Sequence, residues 1–144
     1  KYRLRDGDIL LTEGGDWDKL GRSAIWRSQL ANCIHQNHIF RARILSSEIL
    51  SDWVMYYTNS EFGQSYFKEA SKQTTNLASI NLTQLRSCPL PLPSLAEQRR
   101  IVAEVERRLS VAQVLEAEVA TGLARAGRLR QAILKRAFEG RLVG

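Results

Sequence analysis

The chain has 144 residues, with 21 Lys and Arg against 15 Asp and Glu, a formal net charge of +6. That length suits one compact domain, or a smaller domain with a long appendage, and excludes two full-sized domains. Apolar residues make up 44% and charged residues 25%, the composition of a folded chain and not of a disordered one. No apolar run is long enough for a membrane-spanning helix. The basic opening Lys1 to Arg5 leads into Asp6-Gly7-Asp8, which is unlike a signal peptide. A start at Lys1 instead of Met suggests a piece of a longer protein. Cys33 and Cys88 form no Cys-x-x-Cys pair and read as free thiols of a reducing, cytoplasmic compartment.

The first 94 residues predict a mixed unit. Asp8 to Glu13 reads as a buried strand, and Gly14-Gly15-Asp16 as the loop after it. Lys19, Arg22 and Arg27 add positive charge to what reads as a loop. From His38 to Leu45 the pattern alternates, with His38, Phe40, Ala42 and Ile44 on one face and Arg41 and Arg43 on the other. Ser46 or Ser47 is expected to cap a helix that turns Ile49, Trp53 and Tyr56 or Tyr57 into the core. A second helix is expected from Ser60 to Ala70, carrying Phe62, Tyr66 and Phe67. Ser71 to Leu82 is polar and nearly uncharged. All three prolines then fall within Cys88 to Ser94, where Pro89, Pro91 and Pro93 make a stiff extended connector.

Beyond the prolines the character changes. Ser94 and Glu97 have capping-box spacing. Apolar residues then recur in steps of three and four for about five heptads, through Val105, Leu109, Leu115, Val119, Leu123, Leu129 and Ile133. Such a helix runs to roughly 65 Å, against about 30 Å for a 94-residue domain. Much of its apolar stripe therefore needs a partner helix, and this chain offers none of comparable length. Gly122 and Gly127 weaken the helix or mark a bend or close packing, and Gly140 is a stop signal. The expected architecture is α+β, with a domain over residues 1–94 and a projecting coiled-coil-type helix over residues 95–144.

Charge is uneven between these parts. Residues 1–94 carry 11 basic and 9 acidic side chains, and residues 95–144 carry 10 and 6. Near the end, Arg125, Arg128, Arg130, Lys135, Arg136 and Arg141 face only Glu139. Such a stretch suits a phosphate backbone, or else is a solvated face.

Catalytic signals are weak. Cys33, His35 and His38 have metal-ligand spacing, but no second cluster supplies further ligands, and no metal site is expected. A nuclease built on these three is a minor alternative. No phosphate-binding loop, nucleophile elbow or nuclease carboxylate motif is present. Binding signals are more frequent. His35, Gln36 and Asn37 form one hydrogen-bonding cluster. Lys72, Thr74, Thr75, Asn76 and Asn81 form another, and both use side chains that read base edges or grip phosphates. With Lys19, Arg22 and Arg27 they are the candidate DNA-binding residues. A coiled-coil scaffold without specific DNA reading is the principal alternative.

Several segments carry a family resemblance in order: Gly7 to Asp16, Asp18 to Arg22, His35 to His38, Thr74 to Asn81, Pro89 to Gln98 and Ile133 to Leu142. Together they resemble the specificity subunit of type I restriction-modification systems, specifically its C-terminal target recognition domain and spacer helix. The resemblance implies a non-catalytic, sequence-specific DNA recognition subunit that binds one half of a bipartite double-stranded site. Its helix is implied to pack antiparallel against another recognition-domain helix, in cis or from a second copy. Methyltransferase and restriction subunits are the implied partners. They would carry S-adenosylmethionine, ATP and Mg, with no cofactor in this chain. The chain is about one repeat long, so an upstream part of the recognition domain is expected to be missing. The resembling segments recur among relatives with different targets, which points to base reading by other positions, within Trp17 to Ile34.

Overall fold

Ile9–Thr12 forms a central strand, β1, because its alternation places Ile9 and Leu11 in the core with almost no exposed surface. The computed structural model to which this strand belongs describes residues 2–73 and 78–142, without the side chains of Asp18 and Gln73. The chain divides into two compact units, Lys1–Val102 and Ala103–Gly144.

In the first unit β1 is flanked on both sides by antiparallel neighbours. β3 (Ser23–Ile25) pairs along one edge, and β4 (Ile39–Ala42) along the other, giving the order β3-β1-β4. Register sets Ile9 opposite Ala42 and Leu11 opposite Phe40, so the apolar faces of both strands coincide. Phe40, Ala42 and Ile44 pack against the core as expected, but His38, expected on the same face, precedes β4 and is exposed, because its backbone turns at φ +67°. A second small sheet has the order β2-β6-β5, built from Gly14–Gly15 (β2), Lys72–Gln73 (β5) and Ala78–Ser79 (β6), with antiparallel pairing throughout.

Helices close the core. α1 (Ser51–Asn59) and α2 (Glu61–Ala70) bring Val54 and Phe67 against Ile9, Leu11, Leu20, Ala78 and Ile80. Trp53 and Tyr66 pack around them, whereas Phe62 is exposed. Asn59 covers the free edge of β3: its Oδ1 accepts the Ser23 N–H at 2.9 Å, and its Nδ2 donates to the Ser23 carbonyl at 2.8 Å. Ser60 caps α2, accepting the Gly63 N–H as its position before Glu61 predicts.

Two further expectations need correction, and one segment gains structure that its sequence left unassigned. Gly14-Gly15 is a strand and not a loop, because its partner residues Ala78 and Ser79 come from far along the chain. The first helix starts at Ser51 and not after Ser46 or Ser47. Ser46 Oγ instead accepts the Glu48 N–H to make a turn, and Ser51 Oγ donates to the Gly7 carbonyl at 2.9 Å. The polar segment from Ser71 contains β5 and β6 and leads into a short helix, α3 (Leu82–Arg86), whose capping box is built by Asn81 and Gln84.

α4 (Leu95–Phe138) has 44 residues, about 66 Å of helix. Ser94 Oγ accepts the Glu97 N–H at 3.3 Å, while the Glu97 carboxylate turns to Arg100. The helix ends as Gly140 predicts. Gly140 adopts φ +67°, its N–H donates to the Ala137 carbonyl, and the Arg141 N–H reaches the Arg136 carbonyl at 2.9 Å. α4 continues unbroken through Gly122 and Gly127, and a Cβ at either position would meet nothing within 4 Å.

Candidate nucleic-acid interface

The segment Thr12 to Gly15 is the point where three distant parts of the chain meet. The Thr12 N–H donates to the Arg22 carbonyl at 3.0 Å, and the Gly21 N–H donates to the Thr12 carbonyl at 3.1 Å. Thr12 Oγ1 donates to the Lys19 carbonyl. One residue on, the Glu13 N–H donates to the His38 carbonyl at 2.9 Å, and the Glu13 carbonyl accepts the Ile80 N–H at 2.9 Å. Gly14 then lies opposite Ser79, which in turn lies opposite Lys72. The turn from Lys19 to Arg22, the backbone of His38 and the strand that carries Lys72 thus meet at the C-terminal end of β1.

The charge of this end is set by short-range pairs. Lys19 forms an ion pair with Asp16, and the hydrogen bond and charge of that ammonium hold the Asp16 carboxyl below its usual range. His38 sits 3.4 Å from a Glu13 carboxylate oxygen and adopts φ +67°, which is rare outside glycine. Lys68 of α2 lies 4.9 Å over the exposed ring of Trp17, inside the distance of a cation–π contact. Trp17 opens the stretch assigned to base reading from sequence, and Lys68 is an addition, since nothing in the local pattern announces a contact between a loop tryptophan and a lysine of α2.

The remaining candidates fall in several places. Gln36 and Asn37 are exposed in the turn before β4, and Lys72 is exposed on β5. His35 is half-buried, with its ring centroid 6.5 Å from that of Tyr2. Asn81 serves the α3 cap, its Oδ1 accepting the Gln84 N–H at 2.9 Å. Arg27 lies apart, at the far end of β3, paired with Asp52 in the first turn of α1. Thr74, Thr75 and Asn76 lie outside the described residues. Among the described residues no three His, Cys, Asp or Glu side chains converge on a metal-holding position, so Cys33, His35 and His38 do not form one. Cys33 and Cys88 are free thiols, and burial pushes the Cys88 thiol up.

A second group of basic residues sits on the outer face of β4. Arg43 bonds both carboxylate oxygens of Asp8 at 2.7 Å and also donates to the Arg3 carbonyl, as does Arg41. Burial pushes the Asp8 carboxyl up. The Arg43 guanidinium, the Arg5 N–H and the Arg41 charge outweigh that effect and hold it below the usual range.

On α4 the residues expected to meet a partner are exposed. Val119, Leu123 and Leu129 retain 62%, 69% and 61% of their surface, and Leu109, Leu115 and Ile133 are also exposed, while Val105 is half-buried. No helix of the described residues is long and apolar enough to cross a membrane.

No protein-family model matches the chain. Over 99% of its length, however, the chain is homologous to the specificity subunits of type I restriction enzymes, as the ordered segments of its sequence lead one to expect. Among these relatives, the StySPI specificity subunit of Salmonella potsdam is 32% identical over 143 residues. The EcoKI specificity subunit of Escherichia coli K12 is 29% identical over 144 residues. The EcoBI specificity subunit of Escherichia coli is 31% identical over 142 residues. The chain spans about a third of each relative's length: 31% for the first two and 29% for the third.

Proposed function

We propose that this chain is the DNA-reading and assembly part of a type I specificity subunit and has no catalytic role of its own. Its first unit binds one half of a bipartite double-stranded site. Lys19, Arg22 and Lys72 grip phosphates and Gln36 and Asn37 add hydrogen bonds to the DNA backbone, while positions within Trp17 to Ile34 lie against base edges. α4 packs antiparallel against a like helix, in cis or from a second copy, and the pair docks methyltransferase and restriction subunits. S-adenosylmethionine, ATP and Mg then reside on those partners.

The observation that carries this reading is that the Lys19–Arg22 turn, His38 and the strand bearing Lys72 meet at Thr12 to Gly15. A fold that only capped a coiled coil has no need to gather these basic and polar segments from three parts of the chain. Homology to specificity subunits supports the same reading. The exposed stripe of α4 fits a bare oligomerisation scaffold equally well, so it does not discriminate.

Selection from a random duplex pool, with chelator present and at moderate salt, tests the proposal. Enrichment of a short motif is expected. The Arg22→Ala, Lys72→Ala variant is expected to lose roughly tenfold in affinity, because two cations no longer meet the phosphates. A protein that binds no duplex at all but remains oligomeric is the scaffold instead.

A further inference from the structure

The two halves of α4 treat their arginines differently. In the first half, Arg100 bonds Glu97 at 2.6 and 2.8 Å, and Arg107 and Arg108 both bond Glu104 at 2.7 to 2.9 Å. Those bonds hold the Glu104 carboxyl down to about 2. Between Glu118 and Glu139 there is no acidic residue at all, yet five cations stand there. Lys135 reaches Glu139 at 3.9 Å. Among the described residues Arg125, Arg128 and Arg136 make no ion pair, and all three are exposed.

That arrangement is unfavourable for an isolated helix. Arg125 and Arg128 are three apart, a like-charge spacing that destabilises. The helix dipole favours cations only in the last turn, which includes Lys135 and Arg136 but not Arg125 or Arg128. An anionic surface lying along the helix would offset the repulsion. At about 100° per residue, Arg125, Arg128, Lys135 and Arg136 share the sector turned away from Val119, Ala126 and Ile133. A partner helix on the apolar stripe therefore leaves these cations open.

The chemistry of the sector distinguishes between anionic partners. Between Arg125 and Arg136 the sector holds Ala132, with Leu129 at its margin and no Trp, Tyr or Phe. A protein partner needs a cluster of apolar or aromatic anchors to form a stable centre, and a single leucine at the margin does not make one. Guanidiniums on small neighbours instead suit a close-lying phosphate backbone. From Arg125 to Arg136 the sector covers roughly 16 Å, long enough to follow several phosphates of one duplex.

We infer that the face of α4 bearing Arg125, Arg128 and Arg136 is a sequence-independent binding surface for the phosphate backbone of double-stranded DNA. This rests on the DNA-binding reading above and adds a second surface, distinct from the end of β1. The surface contributes affinity and salt dependence and no sequence discrimination.

The test compares the full chain with its Arg125→Gln, Arg128→Gln, Arg136→Gln variant. Binding to a random-sequence 30-base-pair duplex is measured by anisotropy across a salt series. The variant is expected to bind at least tenfold more weakly at low salt. Its plot of log affinity against log salt should be shallower by about 0.9 for each phosphate no longer neutralised. The corresponding triple Lys variant keeps the charge and should restore the slope, and helicity by circular dichroism confirms that each variant folds. Equal affinity and slope in the Gln variant and the parent overturn the inference while leaving the DNA reading intact. A parent chain that binds no duplex overturns both. A loss seen only towards polyglutamate, with duplex binding intact, overturns it in favour of an acidic protein partner.

Discussion

Gln98, in the first turn of α4, accepts the backbone N–H of Leu50 at 3.0 Å, and so fixes the residue from which α1 departs. The same amide donates from Nε2 to the carbonyls of Glu48 and Pro93, both at 2.9 Å. With 1% of its surface exposed, Gln98 spends its hydrogen-bonding capacity on the backbone before each helix. Gln98→Leu leaves the Leu50 N–H and two carbonyls without these partners. Leaving buried polar groups unsatisfied is expected to cost about 2–4 kcal/mol. Urea unfolding of the variant, with a lowered midpoint and an unchanged slope, is the check, and Gln98→Glu should fail almost as badly because the carboxylate cannot donate.

How much of this could be read beforehand depends on how local each feature is. The bounds of α4 follow from Ser94, from the prolines ahead of it and from Gly140 behind, all within a turn or two of the ends they set. The alternation from Phe40 to Ile44 is local in the same sense. The role of Gln98 is not legible, because Glu48 and Leu50 approach it only through tertiary packing. The strand at Gly14-Gly15 and the pairing of Lys72 with Ser79 were hidden for the same reason, since glycine pairs and polar runs signal turns unless their partners are known. For the candidate site, residue types were legible and proximity was not. Lys19, His38 and Lys72 share no sequence neighbourhood, and nothing local showed that Arg27 pairs with Asp52 at the other end of β3.

Gly21 links the core to the candidate interface. It adopts φ +63°, and a Cβ built there would stand 2.1 Å from a ring carbon of Phe67, which is fully buried. Gly21→Ala therefore combines a left-handed backbone with a clash against a side chain that cannot withdraw. A loss of about 2–4 kcal/mol is expected. Since Arg22 follows directly, the strain also shifts a residue assigned to phosphate contact. Thermal denaturation and duplex binding should both be impaired, stability more than affinity.

The Asp8–Arg43 pair predicts acid sensitivity. Asp8 is 1% exposed and its folded value lies below the ordinary 3.8. The ionised form is thus the one the fold favours. Its contribution is complete above the ordinary aspartate value and is lost as pH falls through the lowered one. Unfolding midpoints should be flat near neutrality and decline below about pH 4. Asp8→Asn removes the charge at every pH and leaves Arg43 and the Arg5 N–H short of an acceptor. Because Arg43 is partly solvated, a cost of about 2–3 kcal/mol is expected, at the low end for a broken buried pair. The variant's stability should also lose the part of its acid-range dependence that Asp8 supplies, while the part from Asp16 and Glu104 remains.

The apolar stripe of α4 makes the sharpest statement about assembly. Val119 and Leu123 retain 62% and 69% of their surface, and Leu115 and Leu129 continue the row on either side. Covering such a row with a second helix removes apolar area worth about 25 cal/mol per Å², the main force available to hold two helices together. Val119→Asp with Leu123→Asp places two carboxylates in the middle of that seam, where the flanking apolar residues Leu115, Ala126 and Leu129 offer them no partner. Sedimentation is expected to show loss of any higher-mass species. Far-ultraviolet circular dichroism should show reduced helicity, since a helix without its partner depends on propensity alone. The first unit keeps its core, because Ile9, Leu20 and Phe67 are buried within Lys1–Val102, so near-ultraviolet dichroism should persist. A variant that stays assembled with its parent's mass would mean that the stripe is not the seam, and the antiparallel pairing proposed for α4 would fall with it.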